Sequence, residues 1–166
     1  MQPEPWLRGP TPDIDPVIAH LLRASQHIRE DLDGAVRNLT VAQIWARPEM
    51  LNPVGFHAKH LAGSTGRLLT YLQGGVLSAR DMAAIPAERA GDEDSGTLIA
   101  LVNAAFDRYD NVIQTLAPAE FSSLRAVGRA RLPVTAISLA IHIAEHGTRH
   151  VGQIVSAAAL ARATVL

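Results

Sequence analysis

The chain of 166 residues contains no cysteine, which excludes disulfide scaffolds, thiolate nucleophiles and Cys-ligated zinc or iron–sulfur sites. Any metal must therefore be held by His, Asp or Glu. An excess of charge of one sign is missing too: 15 Lys plus Arg stand against 16 Asp plus Glu, so nothing electrostatic marks a nucleic-acid or anionic-membrane partner. No run approaches the roughly 18 to 20 apolar residues of a membrane span. The first thirteen residues carry Pro3, Pro5, Pro10 and Pro12 without the apolar stretch of an export signal. A soluble, cytoplasmic protein is the expectation. Strand-like alternation, internal repeats and low-complexity tracts are also lacking.

What is present is apolar and helical in period. With 48% hydrophobic and 19% charged residues, the chain fits one domain over residues 1–166, with 1–13 as an extended N-terminal arm. Ile14, Val17, Ile18, Leu21, Leu22, Ile28, Leu32 and Val36 recur at spacings of three and four behind the start signal Asp15-Pro16. They predict a first long helix. Thr40 to Gln43 reads as a capping box opening a short turn that Pro48 ends. Asn52-Pro53 then starts a second long helix with Phe56, Leu61, Leu68, Leu69 and Leu72 on its period and Gly74-Gly75 at its end.

A crossover of about twenty residues follows, with a helical turn at 78–84, Pro86 and an acidic loop. Leu98 to Leu116 form the third long helix, closed by Pro118, and the fourth begins after Thr135 with Ile137, Leu139, Ile141, Ile143, Val151, Ile154 and Val155. The expected fold is all-α, a four-helix bundle with long crossover connections. Leu98, Ile99, Leu101 and Val102 give the third helix apolar residues on more than one face, and the fourth ends rich in alanine. A homodimer covering that surplus is expected.

Of seven histidines, His20 and His27 stand alone and read as ordinary polar positions, whereas five gather on two helices: His57 and His60 on the second, His142, His146 and His150 on the fourth. His57 and His60 are i and i+3, and His146 and His150 are i and i+4, so each pair shares a helix face. Two imidazoles one turn apart can chelate an ion, and a third from a facing helix completes a three-nitrogen site with open positions. His142, His146 and His150 cannot all bind one ion, because eight residues of helix span about 12 Å.

Hydrolase signatures fit poorly. His146-x3-His150 has metalloprotease spacing but Gly147 where the general base belongs. His142-Ile143-Ala144-Glu145-His146 spells the inverted motif with Glu145 as base, yet no Asp or Glu follows it as a further ligand. Glu145 can instead pair with Arg149 at i+4. The small-x-Ser-x-Gly string Ala62-Gly63-Ser64-Thr65-Gly66 lies within a helix rather than at a strand-to-helix elbow.

The segment Gly55-Phe56-His57-Ala58-Lys59-His60-Leu61-Ala62-Gly63-Ser64, then Arg67-Leu68-Leu69, and the later Ala144-Glu145-His146-Gly147-Thr148-Arg149-His150-Val151-Gly152-Gln153 resemble the DinB-like, or YfiT-like, superfamily of four-helix-bundle metalloproteins. Pro5-Trp6-Leu7 and residues 39–48 extend the resemblance over nearly the whole chain. It implies His60, His146 and His150 as ligands of a divalent ion such as zinc or nickel, with His57 and His142 beside the site. If the second and fourth helices ran parallel from matching ends, His60 would lie nearer in depth to His142 than to His150, so His142 stands as the alternate ligand. Arg67, one heptad beyond His60, and Gln153, three residues after His150, are further pocket candidates.

The resemblance also implies chemistry, since characterised members of that superfamily transfer low-molecular-weight thiols. The expected function is a metal-dependent thiol S-transferase, with a small-molecule thiol and an electrophilic acceptor as partners. The alternatives are a metal-dependent small-molecule hydrolase, a non-catalytic metal-binding stress or sensor module, and a scaffold whose histidines are vestigial.

Overall fold

A computed structural model describes residues 2–47 and 51–164. After a 3-10 turn at Pro5–Leu7 come α1 (Pro16–Val36), α2 (Val41–Trp45), α3 (Val54–Leu72) and α4 (Ala79–Ala83). A second 3-10 turn at Ile85–Arg89 leads to α5 (Ser95–Thr115). A β-hairpin, β1 (Leu124–Val127) and β2 (Leu132–Thr135), then precedes α6 (Ala136–Thr164). The four long helices are α1, α3, α5 and α6.

Their starts are set by side chains that satisfy the otherwise unpaired N–H groups of a first turn. Asp15 accepts from Val17 and Ile18, and Pro16 occupies the first helical position. Thr40 and Gln43 form the reciprocal box expected for α2, Ser78 and Asp81 form another for α4, and Asp94 accepts from the Thr97 N–H at the head of α5. The Thr135 hydroxyl accepts from Ser138 N at 3.3 Å. At α3 the expectation needs correcting, because the cap is Pro53 with no side-chain hydrogen bond, not Asn52. The chain-stopping role assigned to Pro48 falls outside the described residues.

Direction follows from what meets at the ends. Arg162 donates to the Ala35 carbonyl at 2.6 Å, so α1 and α6 finish together and run parallel. Ser95 donates to the carbonyl of Arg37 (3.2 Å), which puts the start of α5 at the end of α1. Lys59 near the start of α3 pairs with Glu93, just before α5 (2.6 Å), whereas Arg125 of β1 donates to Leu72 at the end of α3. Hence α3 is parallel to α5 and antiparallel to α6. Packing pairs are α1 with α5 and α6, and α3 with α5 and α6, which closes a square whose parallel α3–α5 side requires the long crossover over 73–94.

The interior holds Leu32, Val36, Leu61, Leu98, Val102, Phe106, Tyr109, Ile113, Ile143 and Ile154, each essentially inaccessible. Burial of such side chains contributes roughly 1.5–3 kcal/mol each before chain entropy is counted. Tyr109 keeps its hydroxyl satisfied by donating to the Ala140 carbonyl (3.1 Å). Among the described residues no helix is long and apolar enough to cross a membrane.

Two local expectations are overturned. The stretch read as a loop before α6 is the antiparallel hairpin, with Leu124 opposite Thr135 and Val127 opposite Leu132. Its strands are four residues long, and Leu124 and Leu132 are exposed, so no buried face imprints an alternating pattern. The arm 1–13 is not simply extended either. Pro5–Leu7 turns and buries Pro5, and Arg8 makes a two-pronged ion pair with Glu30 of α1, both contacts at 2.7 Å.

Close approach of α6 to α1 and α5 depends on Gly147, where a Cβ would lie 2.6 Å from Ile28 Cδ1 and 3.0 Å from Phe106 Cζ. Gly147→Ala gains about 1 kcal/mol of helix propensity but overpacks a tight core, which costs typically 1–3 kcal/mol. The steric effect should win, lowering the thermal midpoint by a few degrees, ~2–4 °C per kcal/mol for a chain of this size. An unchanged or raised midpoint by calorimetry would show that the three elements can part at this point.

Candidate metal centre

Antiparallel docking of α3 on α6 decides which histidines meet. As the α3 number rises, its α6 partner number falls: His57 faces His150, His60 faces both His146 and His150, and Ser64 faces His146. The parallel arrangement that favoured His142 is therefore corrected. His142 lies exposed, its Nδ1 3.9 Å from Glu145 of its own helix. His60, His146 and His150 each offer a ring nitrogen within 4.8 Å of the others, with all three side chains half-buried. Three donors this close could hold one divalent ion.

The other nitrogen of each ring explains how the cluster is oriented. His60 Nδ1 lies 2.8 Å from Glu88 Oε2, His146 Nδ1 lies 3.4 Å from Ser64 Oγ, and His150 Nδ1 lies 3.1 Å from His57 Nδ1. Ser64 donates its hydroxyl proton to the Leu61 carbonyl (3.1 Å), so toward His146 it accepts. An ionised Glu88 can only accept. Each of the three imidazoles thus has its Nδ1 engaged by an outer partner, and Nε2 is the nitrogen left for an ion. Such outer partners fix the tautomer and ring orientation of metal-binding histidines. Three imidazole nitrogens are a donor set that suits a zinc-type ion.

Glu88 is the functional residue that the sequence does not single out. It sits in the 3-10 turn of the crossover, is 6% exposed, and its second oxygen accepts from Arg67 Nη1 at 2.6 Å. Burial pushes the Glu88 carboxyl up, but hydrogen bonds from His60 and Arg67 and the charge of the guanidinium outweigh it and hold the group below the usual carboxylate range. Arg67, a pocket candidate by its heptad spacing from His60, holds this internal carboxylate. Phe56 stacks on His60, ring centroids 5.6 Å apart at 12°, and meets His57 edge-on at 5.1 Å. Gln153 is exposed and lines a cleft of about 440 Å³ together with His57, Asn52 and Arg149.

A family model described as the DinB superfamily matches residues 4–154, which include both histidine-bearing helices as far as Ile154. The chain belongs to the DinB superfamily. Among curated proteins none matches it. The DinB membership agrees with the bundle and with a histidine cluster able to bind metal, while the ring-by-ring partners described above belong to this chain's own structure.

Burial shapes the proton affinity of this DinB site. Desolvation, followed by the charge of neighbouring His60, lowers His146 to about 4. Desolvation, followed by the influence of His146 and His60, lowers His150 to about 3, and His57 is lowered for the same first reason. All three are therefore neutral at pH 7, as metal ligation and its outer support require.

A pH dependence follows for the metal-free protein. The unfolded chain takes protons on these imidazoles near the ordinary value of about 6.5, whereas the folded chain resists until about 4 and 3. Their contribution is fully present above the unfolded value and is lost progressively as pH falls through that window. Urea midpoints of chelator-treated protein should fall from pH 7 to 4.5, and the slope should flatten in His146→Gln/His150→Gln. Equal slopes in the two proteins would assign the effect to other groups.

Proposed function

We propose that this DinB-superfamily chain is a divalent-metal-dependent transferase that uses a low-molecular-weight thiol, with zinc or nickel held by His60, His146 and His150. One observation carries the reading: three ring nitrogens converge without a carboxylate among them, and both oxygens of the nearest buried acid, Glu88, are already committed. Three protein donors with a vacant fourth position are typical of catalytic rather than closed structural sites. An ion there would supply Lewis acidity, making a thiol or a water more acidic near neutral pH.

The chain's own groups prepare that position. His150 donates its Nδ1 proton to His57, which keeps the His150 Nε2 lone pair available. In the same way the Nδ1 proton of His146 goes to Ser64 Oγ and that of His60 to Glu88. Phe56 lays an apolar face against the ring of His60. The cleft of about 440 Å³ beside His57 falls within the range that takes small molecules, and Arg149, Asn52 and Gln153 on its wall suit a polar, carboxylate-bearing thiol. A cytoplasmic location, where small thiols stay reduced, accords with a chain that lacks cysteine.

Purified protein should carry about one equivalent of divalent metal, retain it in His142→Ala and lose it in the triple variant His60→Ala/His146→Ala/His150→Ala. With cobalt in the site, a small thiol should perturb the visible absorption directly, because three neutral ligands leave the full charge of the ion to attract thiolate. Transfer of the thiol sulfur to an electrophilic carbon, with departure of its leaving group, should then be measurable. A spectrum indifferent to saturating thiols would move the assignment to the hydrolase or the non-catalytic module.

A homodimer accompanies this proposal. The third long helix buries Leu98 and Val102, yet Leu101 remains 42% exposed, and Ile141, Val155 and Leu160 of α6 and Val17 of α1 are likewise open. An apolar groove of about 800 Å³ runs between α1 and α6. Pairing across a two-fold axis would cover such surface. Sedimentation at micromolar concentration should give twice the chain mass, and a monomer there would refute it.

A further inference from the structure

The three candidate ligands are not supported alike. His146 leans on a hydroxyl at 3.4 Å and His150 on a neutral imidazole at 3.1 Å, but His60 meets a buried carboxylate at 2.8 Å. That carboxylate comes from the crossover, and much of its neighbourhood is arranged to seat it. Arg67, one heptad along α3 from His60, grips the other oxygen. Gly63, between them on the same helix, leaves the space: a Cβ there would run into Glu88 Oε1 and lie 2.9 Å from Arg67 Nη1. The flanking crossover is pinned separately, by Lys59 to Glu93 (2.6 Å) and to the Ala90 carbonyl (3.0 Å), and by Trp45 Nε1 to the Glu93 carbonyl (3.2 Å).

We infer that Glu88 is the positioning residue of the metal centre, the crossover-borne carboxylate that orients His60, raises its strength as a ligand and thereby sets the affinity for a divalent cation. The inference rests on the metal-site reading above and not on the thiol chemistry. A carboxylate that accepts the Nδ1 proton of a ligand imidazole increases electron density at Nε2 and fixes the ring plane, and loss of such a partner typically weakens binding about 10–100-fold. Arg67 and Gly63 act through Glu88, the first by holding it and the second by making room. Because the turn at 85–89 supplies this group, ion binding is linked to the seating of the Glu88 carboxylate itself and not to the anchor at Glu93.

The test uses the full chain, with zinc or cobalt(II) as the only probe and chelator competition at pH 7.5 as the readout. Glu88→Gln should bind about 10–100-fold more weakly than wild type and should shift the cobalt absorption bands even at saturation, which a purely structural residue would not do. Gly63→Ala keeps Glu88 in the chain and favours helix, yet displaces the carboxylate, so it should weaken binding in the same sense. The double variant should be no weaker than the weaker single, since both act on one contact. Glu93→Gln, which releases the crossover at its other anchor, should bind nearly as wild type does.

Wild-type affinity in both Glu88→Gln and Gly63→Ala would overturn the inference. So would an equal loss in Glu93→Gln, which would assign the effect to crossover docking in general. A wild-type protein that binds neither ion would instead overturn the metal-site reading beneath it. Binding without any thiol effect would leave Glu88 in its role and remove only the transferase.

Discussion

An imidazole taken from water with neither ring nitrogen paired is costly to bury, and the contact between α3 and α6 places four imidazoles together. The demand is met ring by ring: Glu88 for His60, Ser64 for His146, and His57 and His150 for each other. Hydrogen bonds of this kind leave each candidate ligand with a single free nitrogen, all three facing one another. The rest of the architecture is what allows that convergence. Antiparallel α3 and α6 bring pairs spaced i, i+3 and i, i+4 to one depth, and Gly147 lets α6 approach α1 and α5 closely enough to hold the alignment.

Chain direction then dictates the crossover. Since α3 and α5 run parallel, residues 73–94 must travel the length of the bundle, and a segment that long would remain loose unless tied down. Lys59, Arg67 and Trp45 tie it. Two of these ties, Lys59 and Arg67, lie on α3 to either side of His60. The same connection that solves a topological problem therefore carries an acidic side chain to a place where a buried carboxylate has both a cationic and an imidazole partner.

Much of this was legible before any coordinates. Helix starts at Asp15, Thr40, Ser78 or Thr135 depend on a few adjacent residues, and the His146–His150 pair depends only on helical period, so local sequence suffices for both. Direction does not follow from local sequence. The parallel alternative for α3 and α6 was excluded only by contacts between elements far apart in the chain, and with it went the depth argument that favoured His142. Glu88 was hidden for a related reason: it is one of four acids in the stretch 88–94, with Asp92, Glu93 and Asp94, and nothing local distinguishes it. The available clue was on α3, where His60 and Arg67 share a face at i and i+7 and both require an acceptor. The hairpin escaped because strands of four residues without a fully buried face leave no period to read.

Charge gives the site its chemical character. Arg67 and Glu88 nearly cancel each other, and burial keeps His57, His146 and His150 neutral at physiological pH. A divalent ion placed among them would find no formal negative charge on the three nitrogens that hold it. Carboxylate influence would reach it only through the ring of His60, as a gain in donor strength rather than as a charge in contact. The centre would then retain its attraction for an anion in the open position, which is the condition for drawing thiolate or hydroxide from species that are mostly protonated at pH 7. Had Glu88 been placed one helical turn nearer to bind directly, the ion would have gained a fourth protein ligand and lost that pull. Holding the carboxylate behind His60, between an imidazole and a guanidinium, would let one buried acid strengthen such a site without filling it.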